Sequence, residues 1–176
     1  MREECPVLAV IADGVLLGEE HLPADLIVWA GGFTANALAA DAGVRVNGRK
    51  QIVTDACLRS LSHPNIYAAG DCAAPIEQPG APMRMSLFTA LVSGAQTADN
   101  IAAELRGKEP KPLSFAWYGQ GIALGPQDAV GFPTYPAGVA WRFVVRGKVG
   151  VAIRNFFVAF LVGVLELERR FPGAFY

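Results

Sequence analysis

Short apolar runs separated by turn residues make up the first part of the chain. Residues 7–11 and 15–17 are apolar and flank Asp13-Gly14, a pair that is typical of a tight hairpin turn with positive φ angles. Residues 26–30 and 66–68 are continuous apolar runs, which favours strands covered on both faces. The pattern therefore predicts a hairpin followed by two buried strands.

A helical periodicity extends from Ser86 to Arg106. Its apolar or small residues recur at steps of three and four, which places them on one face of a helix. They are Leu87, Leu91, Gly94, Ala98, Ile101 and Leu105. Ser86 is suited to cap the first turn and Gly107 to end the last one. The amino end of this helix would point free backbone N–H groups at a bound acceptor atom.

Two shorter elements are predicted before this helix. Residues 35–42 are rich in alanine and are followed by Gly43, which indicates a short helical turn. The dipeptide Asn47-Gly48 indicates a second hairpin, with residues 51–54 as its return arm.

The segment after a linker at residues 108–112 has a different composition. Three short apolar runs, at residues 115–118, 121–124 and 128–132, predict three short strands. Together with the helical tail beyond them, they indicate a small domain of mixed helix and strand.

Three glycines in this segment have the spacing of a nucleotide fingerprint. Gly119, Gly121 and Gly125 match GxGxxxG, but such a fingerprint needs a helix that opens inside the motif. Pro126 stops a helix there. A hairpin turn is therefore expected, and no nucleotide site.

The tail combines an apolar run with basic residues. Residues 156–165 are ten uncharged, mostly apolar residues, fewer than the ~20 that a membrane span needs. No acidic residue occurs between Ala129 and Val164, whereas four basic residues do: Arg142, Arg146, Lys148 and Arg154. Aromatic and basic residues together suit a membrane surface. The alternative is a helix that is buried in the C-terminal domain or at a dimer interface.

Composition narrows the function classes. Over 176 residues, a hydrophobic content of 52% and a charged content of 18% argue against disorder. The net charge of −1 gives no support for a nucleic-acid partner. Cys5, Cys57 and Cys72 form neither a CxxC pair nor a metal-ligand spacing, so a reduced intracellular protein without a metal site is expected. No long apolar region with a cleavage site follows the first residues, so no signal peptide is expected.

Residues 65–71 contain the candidate site. Ala69 and Gly70 have small side chains or none, so a ligand can approach their backbone closely. Asp71 would lie at the carboxyl end of the strand predicted at residues 66–68, where ligands bind in open α/β sheets. Its carboxylate can accept hydrogen bonds from two neighbouring hydroxyls of a sugar-like chain. A plain turn has the same bare pattern.

The surroundings of this stretch resemble the second flavin-binding motif of the flavoprotein superfamily that has two dinucleotide-binding domains. Thr54-Asp55 precede the stretch and a helix follows it. The resemblance implies that Asp71, after Gly70, holds the ribityl chain of FAD. It also implies that Ser86 and Leu87 contact the cofactor, because in the superfamily the amino end of this helix faces the pyrimidine edge of the flavin.

A second part of the resemblance lies nearer the start of the chain. Gly31 and Gly32 close the apolar run at residues 26–30. In the superfamily, the chain returns from the NAD(P)-binding domain to the FAD domain through a strand that ends in a Gly-rich crossing. The resemblance therefore assigns Gly31 and Gly32 to the cofactor site, although a plain strand-to-loop turn would look the same.

Residues 13–175 resemble the C-terminal part of FAD-dependent pyridine nucleotide-disulfide oxidoreductases of the type II NADH dehydrogenase kind. The implied fold class is α/β, with a partial FAD/NAD(P)-binding, Rossmann-like domain followed by a small α+β domain. Residues 1–24 would end the NAD(P)-binding domain, and residues 25–110 would form the C-terminal half of the FAD-binding domain. Residues 111–176 would form the α+β domain with its membrane or dimer tail.

The same resemblance implies an activity. Such enzymes pass a hydride from NAD(P)H, the co-substrate, to FAD, and then pass electrons to a quinone or another acceptor; the flavin carries the chemistry and the protein orients it. The implied location is the cytoplasm, peripheral on the inner face of the cell membrane. Apolar runs suited to burial on both faces favour a homo-oligomer.

Two departures from the family pattern affect these expectations. No GxGxxG follows a strand in this sequence, so both nucleotide fingerprints are expected upstream of Met1, and the chain is expected to be a C-terminal fragment that is inactive alone. Type II NADH dehydrogenases also carry two glutamines near the quinone, whereas Phe88 and Val92 occupy those positions here. Phe88 and Val92 are therefore the candidates for the acceptor side, and the identity of the acceptor stays open.

Two rival functions are testable. A disulfide reductase of the same superfamily needs a redox cysteine pair and, in one branch, a late histidine; the histidines here are His21 and His63, which disfavours this reading. A non-catalytic interaction or assembly module that uses the apolar tail is the alternative from another class. It predicts that Asp71 is dispensable.

Overall fold

The chain folds as two units, Met1–Phe33 and Thr34–Tyr176, and the computed structural model describes residues 4–171. The first unit is a three-stranded antiparallel meander. Its strands are β1 (Ala9–Ile11), β2 (Gly14–Leu17) and β3 (Glu20–Pro23), in the order β1-β2-β3. The hairpin predicted around residues 7–17 is confirmed, and β3 is a strand that the apolar pattern did not predict.

The glycine of this hairpin has a different role from the predicted one. Neither Asp13 nor Gly14 has a positive φ, because Gly14 is the first residue of β2 and pairs with Pro23 of β3. A Cβ atom on Gly14 would lie 2.2 Å from the carbonyl oxygen of Leu22. The position therefore needs glycine because the neighbouring strand passes too close for a side chain.

The strand predicted at residues 26–30 is wrong. These residues form no strand, and Leu26 and Val28 are 81% and 80% exposed. A strand needs hydrogen bonds from a neighbouring strand, and no sheet among residues 4–171 includes this segment. The apolar run is therefore irregular and exposed.

The second unit begins with short elements that lead to the long helix. They are α1 (Leu38–Asp41), β4 (Ile52–Thr54), a 3₁₀ turn at Gly70–Cys72, β5 (Ala73–Pro75) and α2 (Leu87–Leu105). Strands β4 and β5 pair in parallel, with Ile52 opposite Ala73. The helical turn predicted at residues 35–42 is confirmed, and Gly43 after it has a φ of +76°.

The second buried strand was predicted in the wrong place. Within residues 66–68, Tyr67 forms an isolated bridge with Arg59, and the strand of this region, β5, begins only at Ala73. The chain opposite residues 66–68 passes through Leu58, whose φ is +70°. This left-handed residue interrupts the extended geometry that a regular ladder requires.

The core of the second unit surrounds this turn. Leu58, Ala68, Ala73 and Leu113 are fully or almost fully buried, and partly buried apolar side chains pack against them: Ile52, Tyr67, Met83, Val92 and Phe115. The core therefore joins the segment before and after Gly70 to helix α2 and to the chain beyond the linker.

Helix α2 has the predicted ends but an unexpected orientation. Ser86 caps it by accepting a hydrogen bond from the Thr89 N–H at 3.2 Å, and Gly107 beyond its end has a φ of +68°. Its buried side chains are polar: Thr89, Ser93, Thr97 and Asn100. The apolar face is the outer one, since Leu87 and Leu105 are 51% and 84% exposed.

The C-terminal part is a hairpin and a long helix. Strands β6 (Gly119–Gly125) and β7 (Asp128–Pro133) pair antiparallel, which confirms two of the three strands predicted here. The strand predicted at residues 115–118 is wrong, because within it Phe115 makes an isolated bridge to Gly80 while its ring packs in an aromatic cluster.

The glycine-spaced segment contains no nucleotide fingerprint. No helix opens at residues 119–125, as expected. The predicted hairpin turn is displaced, however, because residues 119–121 lie inside β6 and the turn is formed by Pro126 and Gln127. Gly119 fits this strand because a Cβ atom on it would lie 3.1 Å from the carbonyl oxygen of Phe132.

Helix α3 (Gly147–Arg170) has 24 residues. It packs against β7 near its amino end, where a Cβ atom on Gly150 would lie 2.3 Å from the carbonyl oxygen of Ala129. By length and composition it is long and apolar enough to cross a membrane, and 6% of its most apolar window is buried. The sequence predicted a segment too short to span a membrane, because only residues 156–165 were considered; the helix is longer than that run. Within residues 4–171, α3 is largely exposed, so the predicted alternative of a helix buried in the C-terminal domain is not observed.

Candidate functional site

Gly70 lies close to helix α2, and its backbone is hydrogen-bonded to a side chain of that helix. It is buried with a φ of +65°, and a Cβ atom on it would lie 3.4 Å from the Cβ atom of Ala90. Its N–H donates to the Ser93 hydroxyl at 2.8 Å. The Ser93 hydroxyl in turn donates to the carbonyl oxygen of Thr89 at 2.5 Å. The turn before Asp71 is therefore held at one defined place along α2.

The carboxylate of Asp71 is exposed and has no hydrogen-bond or ionic partner within residues 4–171. The backbone of Asp71 is held, because its carbonyl oxygen accepts from Gln51 Nε2 at 3.0 Å. The same nitrogen donates to the carbonyl oxygen of Ala73 at 3.2 Å. The main chain is thus fixed while the carboxylate remains available to a ligand.

The position of Asp71 relative to the strands differs from the prediction. Asp71 lies in the 3₁₀ turn before β5 and not at the carboxyl end of a strand over residues 66–68. The expected geometry assumed that the apolar run was extended, whereas the left-handed Leu58 opposite it prevents a ladder. The turn, rather than a strand end, therefore presents the carboxylate.

The amino end of α2 is the second part of the candidate site. Ser86 Oγ accepts from the Thr89 N–H, and the Ala90 N–H donates to the carbonyl oxygen of Ser86 at 3.0 Å. The N–H groups of Leu87 and Phe88 have no acceptor within the helix, as in the first turn of any α-helix. A Cβ atom on Gly70 would lie 3.4 Å from the Cβ atom of Ala90, and Ala90 is about one turn from Ser86, so both features lie near the same end of α2.

Phe88 and Val92, the candidates for the acceptor side, are partly buried packing residues. The Phe88 ring lies 6.1 Å from the ring of Phe115 and 5.7 Å from that of Trp117, centroid to centroid. Val92 packs against the core. The structure therefore places Phe88 beside Phe115 and Trp117 and Val92 against the core, and neither position carries a polar side chain.

An open cavity of about 350 Å³ borders the Asp71 turn. Gln51 and Ala73, which flank the turn, line one part of it, and Gln78, Gly80 and Met83 line another. The cavity therefore adjoins the backbone that holds Asp71.

A polar network connects Arg59 and Tyr67, which precede this turn in the sequence, to the carboxyl-terminal end of α2. The Tyr67 hydroxyl donates to Glu104 Oε2 at 2.9 Å, and Arg59 Nη1 lies 3.2 Å from Glu104 Oε1. Burial raises the pKa of Tyr67, and the hydrogen bond to Glu104 raises it further. Arg59 also lies 3.5 Å from Asp55. These groups are partly exposed, and their effect is to anchor residues 59 and 67 to the helix.

Three further points concern the predicted site residues. Gly31 and Gly32 belong to the first unit, where Gly32 has a φ of +93°, and their role in a cofactor site stays a prediction. Ser93 and Gln51 were missed, although polar residues at i and i+4 inside an amphipathic helix, Thr89 and Ser93, are a signal that could have pointed to Ser93. In residues 4–171, no group of three or more His, Cys, Asp or Glu side chains could hold a metal ion.

Comparison with known families decides the relationship. The family model for pyridine nucleotide-disulphide oxidoreductases matches residues 3–98, a range that includes Gly70, Asp71 and the first half of α2. The chain belongs to the pyridine nucleotide-disulphide oxidoreductase family. The predicted family and the α/β fold class are confirmed, and with them FAD and NAD(P)H as the cofactors of the family.

The similar curated proteins are quinone reductases by name. The chain is 27% identical over 88% of its length to the alternative NAD(P)H-ubiquinone oxidoreductase C1, chloroplastic/mitochondrial, of Arabidopsis thaliana. It is 30% identical over 72% of its length to the demethylphylloquinone reductase NdbB of Synechocystis sp.. It is also 30% identical over 84% of its length to the type II NADH:quinone oxidoreductase of Haemophilus influenzae.

This family member is shorter than those relatives. The matched parts are 30%, 32% and 32% of the three proteins, so the chain spans about a third of their length. Among solved structures, an FAD-dependent pyridine nucleotide-disulphide oxidoreductase from Desulfovibrio vulgaris matches at 26% identity with a TM-score of 0.40, over 69% of this chain and 30% of that one.

Proposed function

We propose that this chain provides the ribityl and ring contacts of FAD in an NADH dehydrogenase-like, FAD-dependent NAD(P)H oxidoreductase. The observation that carries the proposal is the Asp71 carboxylate, which is exposed and has no partner among the described residues, on a turn that is fixed to the amino half of α2. It lies within the range matched by the family model.

The described residues fit one half of FAD. An exposed carboxylate can accept hydrogen bonds from ribityl hydroxyls, and the N–H groups of Leu87 and Phe88 can donate to the acceptor atoms of the flavin's pyrimidine edge. The pyrophosphate needs a Gly-rich turn between a strand and a helix, and residues 4–171 contain no such unit. When bound, FAD accepts a hydride and passes electrons on; Asp71 and α2 bind and orient it.

The domain boundaries that we propose are those predicted from the sequence. Residues 1–24, which contain the three-stranded meander, would end the NAD(P)-binding domain. Residues 25–110 would form the C-terminal half of the FAD-binding domain, and residues 111–176 the C-terminal α+β domain. Gly31 and Gly32, near the start of residues 25–110, would take part in the cofactor site.

A quinone is the proposed electron acceptor. The support is that all three relatives described above are named as reductases of quinones. Phe88, which lies beside the rings of Phe115 and Trp117, and Val92, which packs against the core, would offer the acceptor side an apolar surface. Such a surface suits the flat ring of a quinone, which would be held by packing and not by side-chain hydrogen bonds at these two positions.

The proposed location is the cytoplasmic face of the cell membrane, with α3 at the membrane surface. The exposed apolar residues of α3 support it, together with the basic residues Arg142, Arg146 and Lys148 close to its amino end. Apolar area and basic charge act together in binding anionic lipid. A homo-oligomer that covers the same apolar surface is the second arrangement that we propose to test.

The function is tested by replacing Asp71 in the protein as its gene encodes it. Asp71→Ala should weaken FAD binding about ten- to a hundredfold, because hydrogen bonds to a charged group are worth about 1.5–3 kcal/mol. Asp99→Ala is the matched control, since Asp99 is an exposed carboxylate on α2. FAD content, FAD affinity and NADH:quinone reductase activity are measured for the wild type and both variants.

The outcomes separate the alternatives. Loss of flavin and of activity in Asp71→Ala, with both retained in Asp99→Ala, supports the proposal. A wild-type protein that retains no FAD, or flavin affinity that is the same in Asp71→Ala, contradicts it and favours the non-catalytic interaction or assembly module.

A further inference from the structure

We infer that Ser93 is a positioning residue for Asp71: its buried hydroxyl holds the Gly70 peptide so that the Asp71 carboxylate faces FAD beside the amino end of α2. The inference rests on the proposed function, because it concerns the same site. Ser93 does not need to touch the cofactor for this role. Its effect on FAD passes through Gly70 and Asp71.

The geometry places Ser93 at the junction of helix and turn. Ser93 has an exposed fraction of 0%, so its hydroxyl has no access to water. The hydroxyl donates to the Thr89 carbonyl oxygen and accepts from the Gly70 N–H. Both its donor and one acceptor capacity are therefore used, and the bond to Gly70 crosses from the helix to the turn over a separation of 23 residues.

Gly70 depends on this bond because glycine does not by itself favour one backbone conformation. A φ of +65° places Gly70 in the left-handed region, and glycine visits many other regions with similar ease. The bond from its N–H to Ser93 selects one of these conformations. The turn also lies close to α2, since a Cβ atom on Gly70 would lie 3.4 Å from the Cβ atom of Ala90. The next residue is Asp71, so the direction of its carboxylate follows from the Gly70 conformation.

A chain of hydroxyl groups connects the two parts of the site. The Thr89 hydroxyl donates to the Arg84 carbonyl oxygen and lies 2.9 Å from the Ser86 hydroxyl. The Thr89 carbonyl oxygen accepts from Ser93, and Ser93 accepts from Gly70. The Ser86 cap and the Asp71 turn are thus held in register by consecutive bonds along one face of α2.

Thr97 shows that a buried hydroxyl on this face is not enough for the role. Thr97 lies one turn beyond Ser93 on the same buried stripe, but its hydroxyl has no hydrogen-bond partner among the described residues. Thr97 therefore shares the helix, the face and the burial of Ser93 and lacks the link to Gly70. It provides a matched control.

The test compares two ligands and uses the protein as its gene encodes it. Ser93→Ala removes the hydroxyl, and Ser93→Cys keeps nearly the same volume with a weak acceptor; Thr97→Val is the control. FAD affinity is measured by flavin fluorescence. The affinity for ADP, which shares only the adenosine and pyrophosphate half of FAD, is measured by calorimetry with saturating NAD⁺ present, because NAD(P)H carries the same ADP group. Circular dichroism and thermal unfolding establish that each variant is folded.

We expect Ser93→Ala and Ser93→Cys to weaken FAD about tenfold, which is about 1.4 kcal/mol, and to leave ADP affinity unchanged. A role in folding alone would lower both affinities together, or neither. Thr97→Val should change neither affinity. Equal losses for FAD and ADP, or an FAD affinity that matches the wild type in folded Ser93 variants, would overturn the inference.

A double-mutant cycle separates this inference from the proposed function. If Ser93 acts through Asp71, Ser93→Ala should have almost no further effect on FAD affinity in an Asp71→Ala background. Full additivity of the two losses would show that Asp71 binds flavin as proposed while Ser93 acts elsewhere. A wild-type protein that binds ADP but no FAD would overturn the proposed function itself.

Discussion

We expect the Asn100 side chain to make a large contribution to the free energy of unfolding. Asn100 is 1% exposed and connects α2 to two loops. Its Nδ2 donates to the carbonyl oxygens of Cys57 and Lys111, both at 2.9 Å. Its Oδ1 accepts from the Lys111 N–H at 2.8 Å and from Gln96 Nε2 at 3.1 Å. The amide thus holds the helix against the residues that precede the core side chains of Leu58 and Leu113.

Asn100→Ala removes all four bonds and leaves main-chain groups behind. The net value of a typical bond is about 0.5–1.5 kcal/mol, and an orphaned buried donor or acceptor costs more. The three main-chain bonds therefore predict a loss of about 3 kcal/mol in the free energy of unfolding. Such a loss is a large fraction of the stability of an ordinary domain, about 5–15 kcal/mol.

Urea unfolding followed by circular dichroism measures this loss in the 176-residue chain. Gln96→Ala is the control, since it removes one bond from the same amide and leaves the main-chain contacts of Asn100 in place; it should cost under about 1 kcal/mol. A loss of less than about 1 kcal/mol for Asn100→Ala, with an unchanged urea slope, would refute the reasoning that the clamp stabilises the fold.

Two further outcomes are expected. Thr54 is fully buried and its hydroxyl has no partner in residues 4–171, so Thr54→Val should raise the free energy of unfolding by about 1 kcal/mol; a loss of stability in urea unfolding would contradict this. The protein should sediment with vesicles rich in anionic lipid, and less so at high salt, because α3 is apolar, exposed and preceded by basic residues. Equal sedimentation after deletion of α3 from a folded protein would show that another surface binds the lipid.

Local signals in the sequence predicted local structure correctly. Ser86 and Gly107 marked the ends of α2 within a residue, because capping depends on groups within one turn of the helix end. The turn signals at Asp13-Gly14 and Asn47-Gly48 located a hairpin and a bridge for the same reason. Asp71 was selected by a motif, and the structure shows its carboxylate exposed.

Features that depend on distant partners were not predictable in this way. The runs at residues 26–30 and 66–68 have strand-like composition, but a strand exists only where another strand supplies its hydrogen bonds. The left-handed Leu58, eight residues before Ile66, prevents such pairing in one case. Ser93 was missed because its partner, Gly70, is 23 residues away in the sequence.

Helix α2 shows what hydrophobic periodicity specifies. The pattern located the helix and its apolar face, but the buried face carries Thr89, Ser93, Thr97 and Asn100. Two of these side chains, Ser93 and Asn100, bond main-chain groups of Gly70, Cys57 and Lys111. Loops with unpaired main-chain groups can be covered only by a polar helix face, because a buried donor or acceptor without a partner is costly.

The apolar face of α2 is therefore left for another surface. Hydrophobic periodicity identifies the apolar face of a helix. It does not identify which part of the chain, or which other surface, covers that face. Leu87 and Leu105 are exposed within the described residues, while the chain spans about a third of the length of its relatives. On the polar face of α2, Ser93 and Asn100 have their hydrogen-bond partners within the described residues, and that face is the one that holds Gly70 and Asp71 in place.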